Sequence, residues 1–297
     1  MKKFYVILLL SLFATAFYSC NKELEADENT DQTLQEEVIP EGYKKMNFTA
    51  VCEDTKTTLN GSNTVWSEGD QIKVVLNDGT TVDAPLTAGA GTTSGTFAGL
   101  VPNGKTALYA VYPASAYASI DGSTVNVTVP AEQPGTFAAG NIAVAKVAAD
   151  HSMSFKNMNS FLVFQLKDGS EVTKVEVTSV DGSALVGTIP VDCSGDNPAA
   201  DAPASPASTV SMTTNGAGTY YMSIASGATH TKGLTMTYYT GSGPYTETGV
   251  YYLNKNLTIE VNQMYTLGEV ETDKNYYVTV AGAGSKNGMN WANAFSA

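Results

Sequence analysis

The chain has 297 residues, of which 43% are hydrophobic and 15% charged, so it has apolar content for a buried core and length for about two domains. It contains no Arg, and 29 acids against 16 Lys give a net charge of −13. Without a guanidinium fork, and with an acidic surface, it is a poor partner for phosphates and anionic headgroups, and nucleic-acid binding is excluded as a function class.

Met1-Lys2-Lys3 is a basic start, and residues 4–17 are an apolar run of 14. That is shorter than the roughly 20 residues a spanning helix needs and fits a signal peptide. Ser19 immediately precedes Cys20, an arrangement that resembles a bacterial lipobox, with Tyr18 bulkier than usual. The resemblance implies cleavage before Cys20, acylation of Cys20, and an outer membrane lipoprotein with residues 1–19 as its signal peptide. Once the segment carrying Lys2 and Lys3 is removed, 14 Lys face 29 acids. Residues 20–42 follow as an acidic, flexible tether: Glu23, Glu25, Asp27, Glu28, Asp31, Glu36, Glu37 and Glu41 leave little to build a core. Lys22-Glu23 and the acids after it also resemble the export signal that sends Bacteroidetes lipoproteins to the outer face of the outer membrane.

The remainder reads as all-β. A first domain is expected over residues 43–149. Its strands are Met46–Val51, Gln71–Leu76, Thr92–Phe97, Ala107–Tyr112 and the alternating Val125, Val127 and Val129, with turns at Gly69-Asp70 and Asn77-Asp78-Gly79. A second domain, 150–271, opens on Ser160–Leu166. Leu162, Phe164 and Leu166 share one face there and Phe161 and Val163 the other, so that strand is covered on both sides. Asp168-Gly169 turns the chain into a return strand with Val175 and Val177 inward and Lys174 and Glu176 outward, and Asp181-Gly182 turns it again. Residues 192–208, with Pro198, Pro203 and Pro206, read as a long exposed loop. The remaining strands are 219–224, 234–239, 246–253, 257–261 and 265–270.

Several motifs stand in a fixed order. They are Val65-Trp66-Ser67-Glu68-Gly69-Asp70, Tyr109-Ala110-Val111-Tyr112-Pro113, Val129-Pro130-Ala131-Glu132-Gln133, Ser154-Phe155-Lys156-Asn157 and Asn262-Gln263-Met264-Tyr265-Thr266-Leu267. This order resembles the fimbrillin-like (Mfa-like) lipoproteins of Bacteroides and relatives. The resemblance implies two tandem transthyretin-like β-sandwich domains after the lipoprotein signal peptide and acidic linker, and a role as fimbrial subunit or surface adhesin. In polymerising relatives a strand of one subunit completes the sheet of the next, and Met46–Val51 and Leu257–Val270 are the candidate segments here. The trimming that prepares those relatives often follows Arg; this chain offers only Lys44, Lys45 and Lys56 near the first strand.

Residues 276–284, 287–288 and 290–294 resemble the opening coil of right-handed parallel β-helix proteins, so 272–297 is expected to begin a longer β-helix segment. A second reading follows: the sandwiches are a membrane-anchored stalk for a downstream polysaccharide-binding or polysaccharide-cleaving domain. A third makes the Tyr-rich second domain a glycan-binding module, with Tyr238, Tyr239, Tyr251 and Tyr252 as ligand-contact aromatics or, more plainly, as strand residues. Partners are therefore the outer membrane, other fimbrial subunits, and a host protein or glycan.

No catalytic set assembles from the sequence. His151 and His230 lack a nucleophile motif beside them, Asp192, Asp196 and Asp201 lack the regular spacing of a Ca²⁺ loop, and no Gly-rich phosphate loop is present. No cofactor and no metal are expected. Cys52 and Cys193 are too isolated for zinc. They could pair in an exported protein, although they fall in different expected domains.

Overall fold

Short alternating runs, separated by residues that tolerate positive φ, favour antiparallel strands joined by tight turns, and strands are nearly all the regular structure among the described residues. The computed structural model describes residues 38–52, 58–60, 63–253, 256–270, 276–278 and 289–290. The acidic tether and most of the β-helix-like tail lie outside the described residues. Gly69, Gly79, Gly169 and Gly182 all adopt the positive φ that the sequence assigned to turns.

Seven strands form a closed barrel. Their order is Tyr43–Cys52, Ser152–Asn157, Ala143–Lys146, Ala107–Tyr112, Gln71–Leu76, Thr81–Ala88 and Ser94–Pro102, which pairs back to the first. The first strand lies antiparallel to Ser94–Pro102 from Tyr43↔Pro102 to Val51↔Ser94, and parallel to Ser152–Asn157 over Thr49↔Ser152 to Cys52↔Phe155. Inside, Phe48, Ile72, Phe97, Tyr112 and Phe155 surround Trp66. The indole meets Phe97, Tyr112 and Phe155 edge-on at 4.9, 5.3 and 5.8 Å between centroids, the arrangement that ring quadrupoles favour. Gly95 makes room for it: a Cβ there would stand 2.8 Å from the indole Cδ1.

Three further sheets enclose a second core. One runs Glu132–Gln133, Thr209–Thr213, Val172–Ser179, Leu234–Thr240, Thr246–Leu253, Tyr276–Val278. Another runs Gly218–Ala225, Asn159–Leu166, Met264–Val270, Met289–Asn290, and the third is built on Val186–Asp192 and Thr124–Val129. Leu162, Phe164, Val175, Val177, Met236 and Ile189 fill the space between them. Each such side chain contributes about 1.5–3 kcal/mol by leaving water.

Strand pairing crosses the sequence boundary expected at 149/150. Thr124–Val129 pairs antiparallel with Val186–Asp192, and Glu132–Gln133 runs parallel to Ser211–Met212, whereas Ser152–Asn157 returns to the barrel. The described residues from Ile39 onward accordingly form one compact unit. The exchange explains why Ala107–Tyr112, and the end of Gln71–Leu76 beside it, are apolar on both faces. Val74, Ala110 and Tyr112 point into the barrel, and Val75, Tyr109 and Val111 point into the second core.

Asn159–Leu166 is covered on both faces, as its sequence requires. Leu162, Phe164 and Leu166 enter the second core, and Phe161 and Val163 form a small separate cluster with Phe137 of the short helix Phe137–Gly140. The expected loop 192–208 is more ordered than its Pro content suggests: Ala199–Ala200 and Ser205–Ala207 pair back onto Val186–Asp192. Pro206 is tolerated there because an edge strand need not use every N–H in a ladder.

Candidate functional site

Gln133, Asn159 and Ser223 make a buried polar seam under the connector 130–142. The Gln133 amide donates to the carbonyls of Pro130 and Ser223 and accepts from the Ser223 N–H at 2.7 Å. Asn159 accepts from the Ile142 N–H and donates to Gly140 O and Ser223 Oγ. These side chains take the place of backbone partners where the chain passes from one sheet to another. The ordered motifs containing Gln133 and Asn157 therefore have a structural role, with Asn157 donating to Asn262 Oδ1 at 2.6 Å.

Ser179, Asp181 and His230 bring together the residue types of a nucleophilic triad, but they are connected in the wrong order. Ser179 Oγ donates its one proton to Asp181 Oδ1 at 2.8 Å. His230 Nδ1, 2.7 Å from the same hydroxyl, must then be the donor to it, which leaves Nε2 as a buried lone pair with no partner. The histidine cannot accept the serine proton in that state, and the imidazole is 0% exposed. Asp181 also accepts from the Ser183 N–H, the Thr231 N–H and the Thr231 hydroxyl. Hydrogen bonds from Thr231 and Ser183 hold its carboxyl well below the usual carboxylate range. The cluster ties the 179–183 turn to the 229–232 segment.

The other polar candidates are dispersed. His151 sits in a turn at φ 64° with its ring 5.8 Å from Phe48. Asp192 accepts from the Ser194 N–H in a local turn, and Asp196 lies 4.0 Å from Lys146. Among the described residues no three His, Cys, Asp or Glu side chains converge as a metal site would require. Cys193 is free and buried, and burial pushes its thiol up to about 11. Cys20 lies outside the described residues.

The tyrosines divide by register. Tyr238 stands opposite Val175 and is 0% exposed, so its ring belongs to the core and is withdrawn from any surface platform. Tyr239, one residue on, stands opposite Lys174 on the outer face, and Tyr252 is half-buried opposite Thr235. Tyr251 pairs with Met236, and its side chain lies outside the described set. Two residues not named as ligand contacts complete the outer face. The Lys174 Nζ sits 5.3 Å from the Tyr239 ring centroid and 5.4 Å from that of Tyr245, and the rings are 6.2 Å apart. Local alternation puts Lys174 outward, but that it stands beside Tyr239 follows only from cross-strand pairing.

The sequence profile described as fimbrillin-like matches residues 55–282. This chain belongs to the fimbrillin-like family. No curated protein matches it. Among solved structures it is similar to a candidate cell adhesion protein from Bacteroides uniformis, at 12% identity and TM-score 0.46, covering 76% of this chain and 93% of that one. A candidate cell adhesion protein from Bacteroides ovatus is similar at 15% identity and TM-score 0.45, over 76% and 91% of the two chains. A fimbrial assembly protein from Parabacteroides distasonis is similar at 12% identity and TM-score 0.35, over 76% and 90%. In this fimbrillin-like chain the two segments considered for strand exchange differ in placement. Tyr43–Cys52 lies between two barrel strands and buries Met46, Phe48 and Ala50. Leu257–Thr258 pairs with Thr229–His230, and Met264–Val270 runs parallel to Asn159–Leu166.

Proposed function

We propose that this fimbrillin-like protein is a non-enzymatic fimbrial subunit or adhesin, held at the outer face of the outer membrane by lipid on Cys20 and joined to other subunits by strand exchange. Family membership over residues 55–282 supports the structural role. One observation carries the assembly reading: the first strand, Tyr43–Cys52, follows directly on the acidic tether and fills a slot between Ser94–Pro102 and Ser152–Asn157. Its removal would strip Met46, Phe48 and Ala50 from the barrel and expose two rows of unpaired backbone groups. A strand from a second copy would satisfy both. The lipobox-like Ser19-Cys20 and the charged tether support the anchor and its reach. The buried, misordered Ser179–Asp181–His230 cluster supports the non-catalytic reading.

Limited proteolysis of the purified chain between the tether and the barrel tests the assembly step. The expected product, lacking 43–52, forms oligomers or captures a synthetic 43–52 peptide. A product that stays folded, monomeric and indifferent to the peptide contradicts strand exchange at this position.

A further inference from the structure

We propose that the outer face of the Val172–Ser179 and Leu234–Thr240 strands, centred on Tyr239, Tyr245 and Lys174, binds a neutral polysaccharide. The inference rests on the adhesive reading above and names a ligand class for it. Cross-strand register lays out the face in rows. Thr209, Thr178, Thr235 and Tyr252 form one, Ser211, Glu176, Thr237 and Val250 the next, and Thr213, Lys174, Tyr239 and Glu247 the third. None of these side chains is fully buried: Thr213 and Glu247 are exposed and the others half-buried. Four strands at about 4.8 Å spacing give a surface roughly 14 Å wide, room for an oligosaccharide laid across it.

The chemistry of the face selects the occupant. Of these positions only Val250 carries an aliphatic side chain; the rest are hydroxyl-bearing, charged or Tyr side chains. Sugars need an aromatic ring for their C–H face and donors and acceptors for their hydroxyls. Tyr245 supplies the ring, with 47% of its surface open, and Tyr239 braces it from 6.2 Å away. The Lys174 ammonium lies against both rings and 3.2 Å from Glu176 Oε2, a fixed donor and acceptor pair suited to vicinal hydroxyls. Because these contacts hold the groups before any ligand arrives, little side-chain entropy remains to be lost on binding. Charge makes the ligand neutral. The chain carries −13, Glu176 and Glu247 flank Tyr239, and Lys174, the one cation among the described positions of these rows, is already paired, so a uronate or sulfate would meet repulsion.

The test is affinity electrophoresis of the full chain, purified in detergent, through native gels containing mannan, xylan, galactan or β-glucan, with polygalacturonate as the acidic probe. At least one neutral polymer is expected to retard the protein. Tyr245→Ala and Lys174→Met are each expected to weaken retardation at least fivefold; Tyr245 is 47% exposed, so its replacement leaves thermal unfolding unchanged, and the half-buried Lys174 keeps its apolar stem as Met and is compared at a temperature where the variant is folded. Val180→Ala, which trims an equally exposed apolar side chain (47%) from the 179–183 turn, is expected to leave it unchanged. The proposal is overturned if no neutral polymer retards the protein, if Tyr245→Ala migrates like wild type, or if polygalacturonate retards it as strongly. Surface display and oligomer formation, measured separately, would survive each of those results, so failure of the ligand assignment and failure of the fimbrial reading are distinguishable.

Discussion

Two tyrosines make the same pair of hydrogen bonds in different surroundings, and the difference sets up a quantitative prediction. The Tyr265 hydroxyl accepts from the Glu260 N–H at 2.8 Å and donates to the Thr258 carbonyl at 3.2 Å, pinning the bend that leads into Met264–Val270. The Tyr220 hydroxyl accepts from the Asn215 N–H and donates to the Gly216 carbonyl, both at 2.9 Å, across the hairpin before its own strand. Tyr265 is 1% exposed, whereas Tyr220 is only partly buried and Asn215 faces solvent. Glu260 and Thr258 are themselves exposed, so the contrast rests on the burial of the hydroxyl's own site: Tyr265→Phe leaves the Glu260 N–H and the Thr258 carbonyl aimed at a ring that is 1% exposed, where a replacing water has little room, a loss of about 1–3 kcal/mol for unsatisfied groups. Tyr220→Phe lets water replace the hydroxyl, so the cost is the net worth of the bonds, about 1 kcal/mol or less. Urea unfolding followed by fluorescence, with equal slopes checked before midpoints are compared, reads the difference. The reasoning fails if Tyr220→Phe costs as much as Tyr265→Phe, or if Tyr265→Phe costs less than about 0.5 kcal/mol.

Other consequences follow from the same geometry. Burial lowers the His230 pKa more than Asp181 raises it, so the folded value lies below the unfolded one of about 6.5. That contribution to stability is present above about pH 6.5 and is lost as pH falls through the folded value; in denaturation midpoints measured between pH 7 and 5, His230→Asn should show a shallower loss than wild type. Gly89 sits at φ +93° with a would-be Cβ 2.2 Å from the Ser94 carbonyl oxygen, whereas nothing lies within 4 Å of a Cβ at Gly91, φ +78°. Gly91→Ala should therefore cost about 1–2 kcal/mol for the backbone conformation alone and Gly89→Ala clearly more, read as a larger fall in thermal midpoint. With its thiol buried and pushed up to about 11, Cys193 should escape iodoacetamide in the native protein at pH 7.5 and react in urea, as peptide mass spectrometry would show.

What was legible in the sequence was local. Asp78-Gly79, Asp168-Gly169 and Asp181-Gly182 announce turns because a positive φ is a property of one residue and its neighbours. The alternation of Val125, Val127 and Val129 announces a strand with one buried face, and all three are buried. Its partner, Val186–Asp192, lies far along the chain, and a period of two carries no information about which strand satisfies it. The same gap hid the outer face. Adjacent tyrosines at 238 and 239 had to point to opposite sides, and the alternation of Leu234 and Met236 with Thr235 and Thr237 already puts Tyr238 on the apolar face; what pairing adds is that Tyr239 stands beside Lys174. Pro206 misled in the other direction, because a residue that punctuates most strands is harmless on an edge.

The central claim, a fimbrillin-like protein anchored by Cys20 and displayed outside the cell, is tested most directly by protease accessibility on intact bacteria carrying the wild-type or the Cys20→Ala chain. The account predicts that the wild-type protein is degraded on intact cells, and that Cys20→Ala takes up no labelled fatty acid and is depleted from the surface. A wild-type protein that is protected until the cells are lysed, or a Cys20→Ala protein displayed as fully as wild type, would contradict it.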